Sequence, residues 1–369
     1  MKKIVFGITS LGLGGAERVL VDIANRLCDE YDITLFLIYG NGELEKELSP
    51  KIKVEHLCNC SYEELSKEQR IMMSIKIMLF KERIYKIYIN RKFDVEMAFL
   101  EGPITRLFAC YGSRKKKIAW IHNDISKVFG KGFKAFIKKK VDKQNYRRYN
   151  TLIFVSNDNK KSFEKVYKIG NKKQVIYNYI DSNKVINKSN EKLEMEFNKN
   201  EFNIVTVARL VEQKAIDRLV NVHKRLIDNN INNTIYVIGD GPKKVELKEL
   251  VNKNNIQETF KLLGKKENPY PYIKKCDLFC LLSNFEGYPM TIVEAKILNK
   301  YIAITDTAAK EALEGYNKCA ILGNDEDEIY QGLSNLIRNK DIKNNRYVDD
   351  TIYNNQSIIE QIKEILDEK

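Results

Sequence analysis

Two glutamates, Glu286 and Glu294, are separated by seven residues in the stretch 278–296, "LFCLLSNFEGYPMTIVEAK". An ionised carboxylate only accepts hydrogen bonds, so a pair of them suits the hydroxyls of sugars and repels the oxygens of a phosphate. The apolar run Leu278–Leu282 has the length and composition of a buried strand. Gly287 permits a tight turn, and Pro289 suits the first turn of a helix that continues through Ile292, Val293, Ala295 and Ile297. The spacing therefore predicts a helix N-terminus beside both carboxylates. The free amides of the segment Tyr288, Pro289, Met290 and Thr291 and the positive end of the helix dipole suit a pyrophosphate, with a sugar hydroxyl group on either side of it. A nucleotide-sugar has that layout, although the spacing alone also fits two solvated surface charges.

Further segments place polar groups where strands end. In "LGLGGAERV", residues 11–19, Gly14 and Gly15 lie between a strand and a helix, where bare backbone can approach a phosphate or sugar. The third spaced glycine of a dinucleotide fingerprint is absent. In "VARLVEQKAIDRLV", residues 207–220, Arg209 follows a strand and Lys214 comes five residues later; two cations there can neutralise charge growing on a departing diphosphate. Gly239, Gly241 and Pro242 mark a strand-to-helix turn in "IGDGPKKVELKELV", and Lys265 follows the next strand in "LLGKKENPYPYIKKCDLF". His122 ends a strand in "IAWIHNDI" with Asp124 two residues on, and Glu101 in "FLEGP" is one more strand-end carboxylate. Taken singly, these fit ordinary turns, a packed histidine and solvated charges.

The frame "EGYPMTIVEA" resembles the Glu-(seven residues)-Glu signature of the family-4 retaining glycosyltransferases of GT-B fold. "GGAERV" is similar to that family's first loop, and "ARLVEQKAIDRL" to its "GRL--QKG-D-L" segment, with Ala208 and Ala215 in place of glycines. The resemblance implies that Glu286 holds the hydroxyls of the donor sugar, Glu294 the ribose, and Arg209 and Lys214 the diphosphate, helped by amides of the Gly287–Thr291 turn. It places Gly14 and Gly15 near donor phosphate and acceptor, Gly239 and Lys265 around the nucleotide, and His122 against the donor sugar and reacting centre. Glu286, His122, Arg209 and Lys214 are thus the expected catalytic set, and Glu101 and Asp124 the expected acceptor contacts. The family's usual front-face attack lets the leaving phosphate take the acceptor proton and needs no enzymic nucleophile. Neither a metal nor a cofactor is expected, because cations and a helix dipole take the role of a divalent ion.

The elements that must position these residues alternate. Strand candidates "KIVFGI", "DITLFLI", "FDVEMAFL", "KKIAWIH" and "TLIFVS" occupy the first half, with a helical pattern at Val19, Leu20, Ile23, Ala24 and Leu27 and a basic helical segment over 61–92. Near residue 180 the pattern changes, and Asp181–Asn203, rich in Asn, Lys and Glu, reads as a linker. Five more strand candidates follow: "FNIVTVARL", "NTIYVIGDG", "FKLLG", "DLFCLLS" and "YIAITD". The expected fold is α/β with two Rossmann-like doubly wound domains. Residues 1–180 form an acceptor-binding domain and 181–346 a nucleotide-sugar-binding domain; 347–369 form a helical segment which, by resemblance to GT-B enzymes, returns to the first domain across a deep cleft.

The chain has 369 residues, enough for two cores. Its 7 cysteines are scattered; Cys58 and Cys60 read as incidental thiols, which suggests a reducing, cytoplasmic setting. No run reaches transmembrane length. The net charge of +13 is uneven: residues 1–185 hold 36 basic against 21 acidic residues, while 186–369 hold 27 against 29. The excess is densest over 114–148, where "KGFKAFIKKK" interleaves Phe133, Phe136 and Ile137 with lysines. A solvated helix face, an anionic membrane surface and nucleic acid all fit such charge, and the aromatic interleaving tips the reading towards the membrane.

The combined reading is a metal-independent, retaining glycosyltransferase of hexosyltransferase type. It moves a sugar from a nucleotide diphosphate donor, expected to be UDP-linked, to a glycan or lipid-linked acceptor of the cell envelope, working in the cytoplasm and peripherally at the inner face of the membrane. The alternatives are a nucleotide-sugar epimerase of GT-B fold and a non-catalytic protein that binds an anionic surface or RNA.

Overall fold

The structure is a computed structural model and describes residues 1–62, 64–90, 92–111, 115–125, 133–193, 195–198, 200–343 and 356–368, with the side chains of 133–136, 340 and 343 left out. The side chains of Phe133 and Phe136, and parts of the segments 114–148 and 347–369, thus lie outside the described residues. The chain divides into two compact units, Met1–Ile180 with Asn355–Lys369, and Asp181–Asn354.

The first unit is built on seven parallel strands, β1 (Lys3–Ile8), β2 (Asp32–Tyr39), β3 (Lys53–Cys58), β4 (Val95–Ala98), β5 (Lys116–Ile121), β6 (Thr151–Phe154) and β7 (Lys172–Val175), in the order β3-β2-β1-β4-β5-β6-β7. The second has six, β8 (Phe202–Val207), β9 (Asn233–Ile238), β10 (Phe260–Gly264), β11 (Leu278–Leu281), β12 (Tyr301–Thr305) and β13 (Cys319–Leu322), in the order β10-β9-β8-β11-β12-β13. Both sheets are parallel throughout. Their central strands read as continuous apolar runs because helices cover both faces. In each unit the strand order reverses once, between β1 and β4 and between β8 and β11, and such a reversal opens a crevice at the carboxyl ends of the strands. This is the two-domain Rossmann-like α/β fold expected from the sequence.

The helix Gly15–Leu27 buries Val19, Leu20, Ile23, Ala24 and Leu27, the spacing read in the sequence. The opposite layer contributes Ile77, Ile84 and Tyr85 from helix Lys67–Tyr88, Ile104, Leu107 and Phe108 from Pro103–Phe108, and Tyr146 from Phe133–Tyr146 to one apolar cluster. The C-terminal helix Gln356–Asp367 returns to this unit and buries Ile358, Ile359, Ile362, Ile365 and Leu366. Its last carbonyls are capped by lysines: Lys2 Nζ donates to Leu366 O at 2.5 Å and Lys116 Nζ to Ile365 O at 2.6 Å.

Three expectations need correction. The segment read as a linker starts with a helix, Ser182–Ser189, capped by Asp181 through the Lys184 amide at 3.1 Å. Its polar composition hides a narrow seam, Val185 and Ser189, that packs on helices Tyr270–Lys275 and Met290–Ile297. Pro289 is the residue just before helix Met290–Ile297 and not part of its first turn. Cys58 and Cys60 are joined as a disulfide across a turn with a Cα–Cα separation of 5.5 Å, well within the bonding range.

Candidate active site

The second unit's crevice is edged by two loops, Ala208–Ala215 after β8 and Leu282–Pro289 after β11. They are laced together. Gln213 Nε2 donates to Phe285 O at 2.9 Å, the Asn284 amide to Gln213 O at 2.8 Å, and Asn284 Nδ2 to Glu212 O at 3.0 Å. At the centre Lys214 Nζ lies 2.5 Å from Glu286 Oε1, and the buried Ser283 hydroxyl donates to the same oxygen. With both side chains largely buried, removing either partner would strand a charge, at a cost of about 3–5 kcal/mol. Lys214 and Glu286, expected on different parts of one ligand, therefore meet each other in this structure. Arg209, on the same loop, is exposed and has no ion-pair partner among the described residues.

The β8 loop is shaped by two backbone constraints. A Cβ on Gly239 would overlap the carbonyl oxygen of Ala208, and one on Gly241 that of Leu210, so both glycines let the β9 loop pack against the backbone carrying Arg209. Hydrogen bonds Leu210 N to Asp240 O at 2.9 Å and Lys243 N to Leu210 O at 3.1 Å fix that contact. Ala215 adopts the left-handed conformation, with φ +45°, where glycine is the unstrained residue. Lys265 is exposed one strand further out, after β10, and its charge helps hold the Asp240 carboxyl below the usual range, behind the larger effects of Lys244 and the Gly241 amide.

Gly287 and Tyr288 complete the turn into helix Met290–Ile297, whose first residues are Met290 and Thr291. The leading amides of a helix have no intrahelical acceptor, so this end suits an anion. Glu294 is buried on the same helix, and Tyr270 OH lies 3.3 Å from its Oε1.

The remaining candidates belong to the first unit. Gly14 caps helix Gly15–Leu27, and a Cβ there would overlap the carboxylate of Glu17. Glu101, beyond β4, accepts from the amides of His122 at 2.5 Å and Asn123 at 2.7 Å through one oxygen, and from Asn123 Nδ2 at 2.9 Å through the other. Burial outweighs these donors and raises its pKa above the ordinary carboxylate value. Asp124 accepts from the Ser162 hydroxyl at 2.6 Å. His122 packs against the tilted ring of Phe99 and stacks on Trp120, with ring centroids 4.7 and 5.9 Å away, and burial lowers its pKa to about 3. A neutral imidazole is the result, and its Nε2 is buried without a hydrogen-bond partner among the described residues.

Sequence reasoning passed over Ser283 and Arg218. Ser283 stands three residues before Glu286 in "SNFE", and its own carbonyl accepts from Thr305 Oγ1 at 2.7 Å. Arg218 donates to Leu282 O and, at 2.8 Å, to Asn324 O, bracing the β11 loop from below. The position of Ser283 next to the glutamate was a usable signal; the contacts of Arg218 span more than sixty residues and left none. Among the described residues no group of three or more His, Cys, Asp or Glu side chains is placed to hold a metal.

Two family profiles tile the chain: "Glycosyltransferase Family 4" matches residues 13–184 and "Glycosyl transferases group 1" residues 187–367. An uncharacterized glycosyltransferase of Methanocaldococcus jannaschii is 32% identical over 303 residues, covering 78% of this chain and 72% of its own. The N-acetylgalactosamine-N,N'-diacetylbacillosaminyl-diphospho-undecaprenol 4-alpha-N-acetylgalactosaminyltransferase of Campylobacter jejuni is 26% identical over 351 residues, covering 93% of this chain and 92% of its own. The crystal structure of Anabaena HepE in complex with UDP and glucose matches with a TM-score of 0.72 at 19% identity, over 99% of each chain. The chain belongs to the family-4 glycosyltransferases of GT-B fold.

Proposed function

We propose that this glycosyltransferase moves a hexose from a UDP-sugar to a hydroxyl of a glycan or lipid-linked acceptor in cell-envelope polysaccharide synthesis, with retention at the anomeric carbon and without a metal. The contact that carries this reading is the Lys214–Glu286 pair, set between two cross-laced loops that also present exposed Arg209 and the start of helix Met290–Ile297. A carboxylate fixed by a lysine and a serine is oriented to accept from sugar hydroxyls, while Arg209 and the helix amides supply positive charge for the departing diphosphate. When a diphosphate arrives, Lys214 can share its charge between Glu286 and the phosphate. Glu294 takes the ribose in this scheme, Lys265 and Gly239 border the nucleotide, and His122, neutral, is a hydrogen-bonding group of the first unit. The relative acting on a diphospho-undecaprenol substrate and the neighbour holding UDP support this choice of acceptor and donor.

The test is transfer from a panel of UDP-sugars to a lipid-diphosphate acceptor, with the anomeric configuration of the product read by NMR. Retention, survival in EDTA, and a loss of about a hundredfold in turnover for Arg209→Ala are expected, since preorganised charge on a developing anion is worth a few kcal/mol. Abolition by EDTA with rescue by manganese would refute the metal-free scheme, and an inverted product the retaining one.

A further inference from the structure

Helix Lys67–Tyr88 is apolar on two sides. One side, with Ile77, Ile84 and Tyr85, packs on the first sheet, where Tyr85 OH donates to the buried Glu96 at 2.7 Å beside Lys117. The other side, with Ile71, Met72, Ile75, Met78 and Leu79, faces solvent up to a kink at Phe80, whose backbone leaves helical values, and Met72, Met78 and Leu79 are each about two-thirds exposed, at 65%, 65% and 67%. At 100° per residue Ile71, Met72, Ile75, Met78 and Leu79 fall within one arc of about 120°. Of the ten residues Ile71–Phe80 only Lys76 is charged. A contiguous apolar surface of this kind marks a site of interaction.

We infer that this face seats the protein on an anionic lipid bilayer, lying in the interface with its exposed apolar side chains inserted. Charge selects that occupant. Exposed Lys67 and Lys76 border the apolar arc, and charges of both signs (Glu68 before it, Glu82, Arg83 and Lys86 after it) close its ends. The helix as a whole holds six basic against two acidic residues, and the first half of the chain carries all of the excess positive charge. A second copy would bring two strongly basic halves together, whereas an anionic surface attracts them. Helix Phe133–Tyr146 packs, like Lys67–Tyr88, on helix Pro103–Phe108, and presents exposed Ile137 and Val141 with Lys138 and Lys140. Among the described residues no helix is long and apolar enough to cross a membrane, so the geometry is that of a helix lying on the surface. The inference stands apart from the transferase reading because it is read without substrate.

The test is co-sedimentation of the full chain with phosphatidylglycerol–phosphatidylcholine vesicles and with phosphatidylcholine vesicles alone. Binding is expected to the anionic vesicles only, and to weaken in about 1 M salt, where the Debye length is about 3 Å. A Met78→Glu/Leu79→Glu variant is expected to lose about tenfold or more in partitioning, because two inserted apolar side chains are replaced by anions. In a Leu79→Trp variant, where the native Trp120 is already buried, anionic vesicles should shift the new emission to the blue. Full recovery in the supernatant with both vesicle types at low salt overturns the inference, as does undiminished binding by the double glutamate variant. A dimer that the same variant dissolves, without vesicle binding, would assign the face to a second copy. Should the double variant fail to fold, an unshifted Leu79→Trp emission on anionic vesicles overturns the inference by itself.

Discussion

Glu101 spends both of its oxygens on the exit of the neighbouring strand, holding the amides of His122 and Asn123 and the side chain of Asn123. Those amides would otherwise stand without acceptors in a partly buried turn, and each orphaned donor costs about 1–3 kcal/mol. Its raised pKa says that the charge itself is not what the fold needs here; the acceptor geometry is. Glu101→Ala is therefore expected to destabilise the protein by about 2 kcal/mol, while Glu101→Gln, which keeps one carbonyl acceptor and removes the buried charge, should cost less than about 1 kcal/mol. Urea denaturation of both variants measures the difference, and equal losses would show that charge matters more than geometry. The sequence pointed to Glu101 as a strand-end carboxylate, but not to its partners. Side-chain type and strand position are local and can be read along the chain, whereas the choice of partner depends on which strand comes to lie alongside.

At the scale of elements, the loop Ala208–Ala215 departs from the family frame at two places, and the structure separates them. Ala208 has a carbonyl against which Gly239 packs, so the close approach is met from the other side. Ala215 sits at φ +45°, where an L side chain costs about 1–2 kcal/mol. Ala215→Gly is expected to recover about 1 kcal/mol, part of which the greater freedom of glycine in the unfolded chain takes back, so the melting temperature should rise by about 1–4 °C. Differential scanning calorimetry decides this, and a fall in melting temperature would mean that the alanine methyl packs better than its backbone strains. The same contrast explains what was legible in the elements. Central strands such as β1, β8 and β11 are buried on both faces and announce themselves as apolar runs, and the helix Gly15–Leu27 shows its spacing plainly. The edge strands β3 and β7 are mostly half-exposed and carry lysines, and helix Ser182–Ser189 docks by a seam of two buried residues, so none of the three rises above its polar surroundings.

For the whole molecule, stability against pH turns on buried imidazoles. His223 is fully buried in the second unit, with Nδ1 2.9 Å from Asn233 Oδ1 and Nε2 2.9 Å from Thr259 Oγ1, and burial lowers its pKa to about 4. His122 in the first unit is lowered further, to about 3. In the unfolded chain both return to about 6.5, so between pH 4 and 6.5 the unfolded state binds more protons than the folded one. Stability from these groups is thus complete above about pH 6.5 and is lost progressively as pH falls towards 4. For His223 alone the loss amounts to about 3 kcal/mol, given 1.36 kcal/mol per pKa unit. Carboxylates with lowered pKa, such as Asp94 and Asp240, act only below their ordinary values near 4, and the raised Glu101 acts in the opposite sense to the histidines. A histidine signal should therefore dominate the window from pH 6.5 to 4. Chemical denaturation at closely spaced pH values is expected to show stability rising with pH across that window, and His223→Gln, which cannot titrate, should flatten the slope by about one proton's worth while lowering stability at pH 7 through imperfect packing. A variant whose slope matches the parent's would show that His223 stays neutral in both states or charged in both, and that the acid sensitivity comes from elsewhere.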